Sequence, residues 1–246
     1  MNHNIPSRPI DIDTMSIFRI THNNFETSFN GLKPDTLDVG EWEVGDVRAE
    51  EPSWIARYQY EASVIGNIIS EKKHNTVLEI GAGCGKLNSY ILPSVAHEID
   101  YHLIDRAAAK VMFEKNGGKG SFFVKDLSLD LDLTDLHQKY DMVICNDVLE
   151  HLLAPANILR RVHSLMTPSS TFFVSIPNWR MAHQFIYRGL WDYDNLLYFM
   201  HIHSFKVDDI YPSPLQTPYY PKLDSEQTMP DELLQSWNFY LVCSLK

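Results

Sequence analysis

The chain has 246 residues, of which 44% are hydrophobic, enough for one large α/β domain with a buried core. Its 32 acidic and 21 basic residues give a net charge of −11, which disfavours a nucleic-acid partner because phosphate backbones are bound by basic surfaces. Three scattered cysteines without CxxC spacing indicate neither a disulfide framework nor a zinc site. With no apolar run of about 18 residues and no signal-peptide pattern in "MNHNIPSRPIDID", we expect a cytoplasmic protein without a membrane partner.

Residues 1–53 contain four prolines and no sustained periodicity, which predicts an N-terminal arm or cap. Apolar residues at helical spacing run from Trp54 to Ile69 and predict an amphipathic helix that opens a second region, 54–246. Short apolar runs then alternate with segments such as "APANILRRVHSLM" that can form helices, which predicts a parallel sheet covered on both sides. The predicted strands are Thr76–Ile80, Tyr101–Ile104, Ser121–Val124, Met142–Cys145, Thr171–Ile176 and 238–245, the last a candidate antiparallel edge strand.

The stretch "VLEIGAGCGK", residues 77–86, places three glycines at alternate positions after an apolar run. A glycine-rich turn at the carboxyl end of a parallel strand is typical of a ligand site, because glycine lets the backbone approach the ligand closely. The spacing fits neither a dinucleotide fingerprint, whose third glycine is replaced by Lys86, nor a P-loop, whose first glycine is replaced by Ile80. The acidic Glu79 beside the turn favours a cationic ligand over a pyrophosphate.

Two aspartates follow the next two predicted strands. Asp105 ends "YHLID" about twenty residues after the glycine turn, where a carboxylate can bind both hydroxyls of a ribose. Asp126 follows "SFFV" in the same way. A helix N-cap is an alternative role for such an aspartate. The turn and the two acids occur in register after successive strands, and together they indicate a ribose-containing ligand.

These segments resemble the class I S-adenosylmethionine-dependent methyltransferases over about residues 55–180. "VLEIGAGCGK" is similar to the first motif of that family, "LIDRA" to the second and "VKDLS" to the adenine-side acidic motif, while "YDMVICNDVLEHL" and "FFVSIPN" match its fourth and fifth strands. The resemblance implies S-adenosylmethionine as cofactor and a seven-stranded, mostly parallel Rossmann-like sheet with an antiparallel last strand. The cofactor-binding residues that it implies are Gly81, Ala82, Gly83 and Gly85 under the methionine part, Asp105 on the ribose, Asp126 and Leu127 beside the adenine, and, without an assigned part, Glu79, Arg106 and Asn146.

Within that family, "CNDVLEHLLAPANIL", "SIPN" and "LWDYDNLLYFMHIHSF" resemble a branch often found in glycan and small-metabolite synthesis, in which a histidine recurs after a segment like the last one. His201 is the best match to that histidine. This resemblance implies methyl transfer to an oxygen, with nitrogen as the alternative, of a small polar acceptor such as a sugar or sugar nucleotide. A non-catalytic cofactor-binding scaffold that acts through partners is the rival class of function.

Acidic and imidazole groups follow the fourth predicted strand and are candidates for the chemistry. Methyl transfer from a sulfonium needs an aligned acceptor, and a hydroxyl acceptor must also lose its proton to a base. We predict His151 and Asp147 as catalytic residues one helical turn apart, with Glu150 on the same face and His201 nearby. Helix capping by Asp147 and ordinary structural contacts for the histidines are the alternatives.

The pattern Asp147-x-x-Glu150-His151 with a distant His201 resembles the metal site of small-RNA 2′-O-methyltransferases. Mg²⁺ or Mn²⁺ held by these groups would orient the acceptor hydroxyl and lower its pKa. A metal-dependent RNA methyltransferase therefore stays as an alternative, although we favour a metal-free base because a base alone suffices in the small-metabolite branch.

Two further regions bear on the acceptor. The segment around 179–235 is predicted to be an insertion or cap, and within it "YPSPLQTPYYP" at 211–221 predicts a stiff loop that serves as a lid or a partner surface. Two aromatic-rich groups of residues, within 42–58 and 179–198, are candidates for the walls of an acceptor pocket, because flat rings stack on sugars. Core packing is the alternative. These residues are Trp42, Trp54, Tyr58, Trp179, Trp191, Tyr193 and Tyr198.

Overall fold

The computed structural model describes residues 52–127, 133, 136, 138–178, 187–214 and 229–246. The predicted N-terminal arm, residues 1–53, lies outside the described residues except for its last two positions, and so do Trp42 and Trp179. Within the described ranges no helix is both long and apolar enough to cross a membrane.

The described residues form one sheet of seven strands. The strands are β1 (Thr76–Ile80), β2 (Asp100–Asp105), β3 (Ser121–Val124), β4 (Tyr140–Asn146), β5 (Met166–Pro177), β6 (Phe205–Pro212) and β7 (Asn238–Leu245). Their order in the sheet is β3-β2-β1-β4-β5-β7-β6. Neighbouring strands from β3 to β5 are parallel, whereas β7 is antiparallel to both β5 and β6. Six strands therefore point one way and β7 points the other, which confirms the predicted fold class.

Helices cover both faces of this sheet. They are α1 (Pro52–Lys72), α2 (Lys86–Ser94), α3 (Ala107–Lys115), α4 (Pro155–Leu165), α5 (Tyr193–Ile202) and α6 (Asp231–Leu234), and 3₁₀ turns occupy Leu149–His151 and Arg188–Trp191. One apolar cluster joins α1, α2 and α3 to one face of the sheet through residues such as Met142 and Phe173. A second cluster joins α4 and α5 to the opposite face through residues such as Val143 and Phe172. Successive side chains along β4 and β5 thus lie on opposite faces, as the pleat requires.

The topology defines where a ligand can bind. From β1 the chain moves outward to β2 and β3, and then crosses back to β4 on the other side of β1. The carboxyl ends of β1 and β4 thus flank the point at which the strand order reverses, and in open α/β sheets this crevice is the usual ligand site. We call this side of the sheet the carboxyl edge and the other side the amino edge.

Three elements differ from the sequence predictions. The described part of the predicted cap, 187–214, contains α5 and the sheet strand β6, so these residues belong to the sheet domain. Tyr211 and Pro212 accordingly end a strand, while most of the predicted stiff loop lies outside the described residues. The edge strand is β6 and not β7, because β7 is inserted between β5 and β6. Strand β5 also begins at Met166, five positions earlier than predicted.

Candidate functional site

The glycine turn after β1 has the backbone conformation that its sequence predicts. Gly81, Gly83 and Gly85 all have positive φ angles, of 74°, 54° and 76°. A Cβ atom at position 81 would lie 2.1 Å from the Cγ2 of Val148, so a side chain there would also collide with the loop that follows β4. The backbone N–H groups of Gly81 and Ala82 both donate to the carbonyl of Ile104 in β2, at 2.9 and 3.1 Å. The turn is therefore fixed at the carboxyl edge between β2 and β4.

Asp105 connects this turn to the end of β2. Its carboxylate accepts hydrogen bonds from the backbone N–H of Gly83 and of Arg106, both at 2.7 Å. Burial raises the pKa of Asp105, although the two backbone donors and the charge of Arg106 oppose that rise. The residue at the N-cap position of α3 is Arg106, which makes no side-chain cap, so the proposed capping role of Asp105 is wrong. The carboxylate faces the glycine turn, as a ribose ligand would require.

Asp126 and Leu127 follow β3 at the same edge of the sheet. The backbone N–H of Lys125 donates to the carbonyl of Asp105 at 2.9 Å, which keeps this segment beside the end of β2. Leu127 packs against the larger apolar cluster. Their predicted position beside an adenine is compatible with this arrangement and stays a prediction.

Glu79 lies beneath the glycine turn and is 4% exposed. The hydroxyl of Tyr101 donates to its Oε2 at 2.7 Å. Burial raises the pKa of Glu79 to about 8, and the nearby carboxylates of Glu61 and Asp105 also favour the protonated form. Without a compensating cation, this carboxyl is therefore mostly uncharged at neutral pH.

Asn146 ends β4 on the other side of the crevice. Its Nδ2 donates to Glu61 Oε2 at 3.4 Å, whereas its Oδ1 is buried and has no hydrogen-bond partner within the part of the chain that the structure describes. A buried acceptor without a donor is costly, and a ligand that donates a hydrogen bond would remove that cost. This observation fits a cofactor with ammonium or hydroxyl donors in the crevice.

Asp147 has no helical geometry and is held by three side chains. Its φ is 52°, in the left-handed region, and the 3₁₀ turn begins only at Leu149. Oδ1 accepts from Ser175 Oγ at 2.7 Å and from Asn238 Nδ2 at 2.6 Å, while Oδ2 accepts from the guanidinium of Arg57. The prediction of a helix that aligns Asp147 with His151 is therefore wrong. A carboxylate with three donors is stabilised in its charged form, which suits an anchor better than a proton acceptor.

Arg57 and Glu61 complete a buried polar network between α1 and the sheet. Arg57 Nε donates to Glu61 Oε1 at 2.6 Å, and the hydroxyl of Tyr240 donates to the same oxygen at 2.8 Å. Burial alone would lower the pKa of Arg57, but the carboxylates of Asp147 and Glu61 hold it above its usual range. The guanidinium carbon also lies 4.9 Å from the ring centroid of Trp54.

Most residues of this network are not predicted from the sequence. Arg57 and Glu61 are spaced four apart on the buried side of an amphipathic helix, and a charged pair among apolar positions was a signal that could have identified them. Ser175 and Asn238 offered no such signal, because their partner Asp147 is far away in the sequence.

His151 lies at the end of the 3₁₀ turn, close to the crevice. Its side chain is 22% exposed, and its Nε2 lies 3.6 Å from Oε1 of the fully buried Glu150. The backbone N–H of His151 donates to the carbonyl of Val148 at 3.0 Å, which fixes the turn. An imidazole that is partly exposed and backed by a buried carboxylate can accept a proton from a bound acceptor.

His201 does not share this site. It is exposed near the end of α5, just before β6 begins at Phe205, and Phe205 pairs with Leu245 at the end of β7. Tyr240, which lies level with the end of β4, is five positions before Leu245, so about 16 Å of strand separates the two levels at ~3.3 Å per residue. His201 therefore lies at the amino edge, and the prediction that it acts with His151 is wrong.

The alternative of a metal centre, which we did not favour, fails for the same reason. Its four ligands cannot converge when His201 is at the amino edge. Among the described residues, moreover, no group of three or more histidine, cysteine, aspartate or glutamate side chains is arranged to hold a metal ion.

Trp191 and Tyr193 are buried at the start of α5. Tyr193 packs edge-on against Phe239 at a centroid distance of 6.0 Å, and Trp191 packs in the same way against Phe199 at 5.7 Å. Core packing therefore accounts for both rings. Trp191 Nε1 and the Tyr193 hydroxyl nevertheless lack a hydrogen-bond partner in the described ranges.

The strand order, the glycine turn after β1 and the acids at the ends of β2 and β3 define a Rossmann-like methyltransferase fold. The model for the methyltransferase-domain family matches residues 54–211, and the chain belongs to that family. A ubiquinone biosynthesis O-methyltransferase of Nitrosomonas europaea is 27% identical over 124 residues, which is 50% of each chain, so the match spans half of that relative.

Solved structures support the fold at low sequence identity. A SAM-dependent methyltransferase from Aquifex aeolicus gives a TM-score of 0.59 at 13% identity, with 81% of this chain and 96% of that chain covered. The plantazolicin methyltransferase BpumL in complex with SAH gives a TM-score of 0.57 at 13% identity, with 90% and 93% covered.

Proposed function

We propose that this protein transfers a methyl group from S-adenosylmethionine to an oxygen of a small polar acceptor, with His151 as the general base. The observation that carries the proposal is that His151 lies in the 3₁₀ turn after β4, in the loop whose Val148 packs against Gly81, with its Nε2 3.6 Å from the buried Glu150. The family membership supports the choice of cofactor, and so do the carboxyl groups of Glu79 and Asp105 beside the turn.

The residues of the crevice have complementary tasks. Asp105 and the backbone of the glycine turn would hold the ribose and methionine parts, and Asn146 Oδ1 would accept a hydrogen bond from the cofactor. The bound cofactor supplies an electrophilic methyl group on a sulfonium. The His151 imidazole would accept the proton that the acceptor hydroxyl loses when its oxygen takes up that methyl group. The buried carboxylate of Glu150 would stabilise the resulting imidazolium.

Oxygen is favoured over nitrogen because the related ubiquinone biosynthesis enzyme is named an O-methyltransferase. A base beside the crevice also suits a hydroxyl, whose proton must leave for an efficient attack. A sugar acceptor rests on the resemblance of the sequence to the glycan and small-metabolite branch alone.

The test is a product assay. The protein is incubated with S-adenosylmethionine and a panel of phenols, sugars, sugar nucleotides and amines, and mass spectrometry follows S-adenosylhomocysteine and methylated products. We expect a methyl ether from a hydroxyl acceptor. Methylation of amines alone would overturn the oxygen assignment, and cofactor binding without any methylated product across the panel would favour the non-catalytic scaffold.

A further inference from the structure

The hydroxyl of Tyr193 is a buried hydrogen-bonding group that the fold leaves unused. The residue is 1% exposed, and its hydroxyl has no hydrogen-bond partner within the ranges that the structure describes. Nε1 of Trp191, two residues earlier, is in the same condition. Burying a hydroxyl without a partner costs stability, and a phenylalanine ring could make the same contact with Phe239. Core packing therefore explains the ring of Tyr193 but not its oxygen.

The ring of Tyr193 lies at the carboxyl edge of the sheet. It packs against Phe239, which pairs with Ile176 on the last rung but one of β5. The preceding residue of β5, Ser175, pairs with Asn146 at the end of β4. The contact with Phe239 is therefore one rung, about 3.3 Å, beyond the end of β4, which puts Tyr193 level with the loop that follows that strand.

The segment that leads into α5 is also joined to the loop that carries His151. Tyr187 immediately precedes the 3₁₀ turn before α5, and its hydroxyl donates to the carbonyl of Leu153 at 2.8 Å, two residues after His151. Tyr193 belongs to the same apolar cluster as Leu149, the first residue of the turn that ends at His151. Tyr193 and His151 therefore lie on neighbouring segments of the same edge of the sheet.

We propose that the Tyr193 hydroxyl recognises the methyl acceptor by donating a hydrogen bond to an oxygen other than the one that is methylated. This inference rests on the proposed function, since it concerns the acceptor of that reaction. A donor without a partner among the described residues gains its hydrogen bond when the acceptor binds, and no bond inside the fold has to be broken first. The acceptor therefore carries a second oxygen besides its reacting hydroxyl, and Tyr193 selects it over analogues that lack this oxygen.

The charges near Tyr193 favour a neutral second oxygen. Burial raises the pKa of Tyr193 to about 12, and the negative charge of Asp194 adds to this rise. The phenol is therefore protonated at neutral pH and can donate. Asp192, whose carboxylate caps α5, is a second acid at this end of the helix. Because two neighbouring carboxylates repel an anion, a carbonyl, hydroxyl or ether oxygen suits the position better than a carboxylate or a phosphate.

Two tyrosine variants separate acceptor recognition from packing. Tyr193→Phe removes the hydroxyl and keeps the ring. Tyr140→Phe is the matched control, because Tyr140 is also 1% exposed but its hydroxyl contacts His102 Nδ1 at 2.7 Å, at the amino end of β4. We expect Tyr140→Phe to lower the urea midpoint of unfolding because a buried hydrogen bond is lost. Tyr193→Phe should leave the midpoint unchanged or raise it, because its hydroxyl has no such bond to lose.

The acceptor experiment compares compounds with and without a second oxygen. The acceptors are phenol, the three isomers of hydroxybenzaldehyde, 3-hydroxybenzoate and glucose, and the rate of S-adenosylhomocysteine formation at saturating S-adenosylmethionine gives kcat/KM for each. We expect wild type and Tyr140→Phe to use the best hydroxybenzaldehyde isomer about tenfold better than phenol, the effect of one hydrogen bond, and to use the anionic benzoate less well than that isomer. Tyr193→Phe should lose about tenfold in kcat/KM on acceptors with a neutral second oxygen and should keep the wild-type value on phenol.

Three results would overturn the inference and leave the proposed function intact. They are an unchanged kcat/KM of Tyr193→Phe on every acceptor that wild type methylates, an equal loss on phenol and on the other acceptors, and a fall in the urea midpoint as large as that of Tyr140→Phe. Use of phenol alone by wild type would also overturn it, because no second oxygen would then be needed. Absence of methyl transfer to any hydroxyl acceptor would instead refute the proposed function itself, so the two failures are distinguishable.

Discussion

A carboxyl group at each edge of the sheet has its pKa shifted, and the two shifts go in opposite directions. At the amino edge, Asp141 accepts hydrogen bonds from the backbone N–H of Asn75 and Thr76, at 2.8 and 3.0 Å. Partial burial opposes ionisation of Asp141, but these donors prevail and lower its pKa. At the carboxyl edge, Glu79 has one hydroxyl donor and a pKa raised to about 8. Asp141 therefore has enough donors to stay ionised within the fold, whereas Glu79 does not and is left to pair with a cationic ligand.

The histidines follow the same division. His201 stacks on Tyr198 on the outside of α5, and its carbonyl accepts from the Lys246 side chain at 2.7 Å. His151 instead lies beside the crevice next to a fully buried carboxylate. The two histidines therefore differ in their surroundings and not in residue type, and the one with a buried carboxylate beside it lies at the candidate site.

The largest expected effect separates these two histidines. His151→Ala should lower kcat by ~10²–10⁴, the usual contribution of a general base, because the acceptor proton loses its destination. His201→Ala, at the amino edge, should leave kcat unchanged. Single-turnover kinetics with saturating cofactor measures both. A similar loss of cofactor affinity and of kcat in His151→Ala would point to a structural histidine.

Breaking the buried network should cost the most stability. Arg57→Ala leaves the carboxylates of Glu61 and Asp147 without their shared cation, and removal of one partner of a buried ion pair typically costs about 3–5 kcal/mol. Lys206→Ala, which removes the partner of Asp208 in an exposed pair, is the control and should have little effect. Urea unfolding compares the two variants. Similar midpoints for Arg57→Ala and wild type would show that the network is not needed for stability.

The pH dependence of stability should reveal Glu79. Its pKa is about 8 in the folded protein and near the ordinary 4.5 in the unfolded chain, so the folded state binds more protons between these values. Stability therefore falls as the pH rises from about 4.5 to 8, by an amount on the order of a few kcal/mol. Glu79→Gln should reduce this slope, part of which remains because the pKa values of Glu61 and Asp105 are also raised, whereas Glu98→Gln, which changes an exposed carboxylate, should keep it. Parallel stability profiles for all three proteins from pH 5 to 9 would contradict the assignment.

The sequence predicted the sheet because its signals are local. Five of the six predicted strands lie within two residues of the observed bounds at each end, since a buried parallel strand is a continuous apolar run such as Thr76–Ile80. The strand that was not predicted is β6, Phe205–Pro212. Two adjacent aspartates at a register shift interrupt its apolar pattern. It was assigned instead to a cap.

The candidate site was predictable only where its residues follow strands. Gly81, Asp105 and His151 each come at the carboxyl end of a strand, and topology alone brings such ends together. The partners of Asp147 come from α1, β5 and β7, and no short-range pattern connects them. The prediction that His201 lies near His151 failed for a related reason. The position of His201 depends on the direction of β6, and the sequence did not predict that strand.

The smallest expected effect concerns Asp105 and sharpens the contrast with Asp141. Asp105→Asn keeps the shape of the side chain and one acceptor oxygen for the Gly83 N–H, but it loses the acceptor for the Arg106 N–H and the charge that would receive the ribose hydroxyls. Loss of charge-assisted hydrogen bonds should weaken S-adenosylhomocysteine binding by ~1–3 kcal/mol in calorimetry. The same change at the amino edge, Asp141→Asn, should lower the free energy of unfolding, because its carboxylate holds the backbone N–H groups of Asn75 and Thr76, and should leave the Kd unchanged, because it lies at the edge opposite the crevice. If Asp105→Asn also altered stability alone, both aspartates would be structural, and the crevice would bind its ribose through other groups.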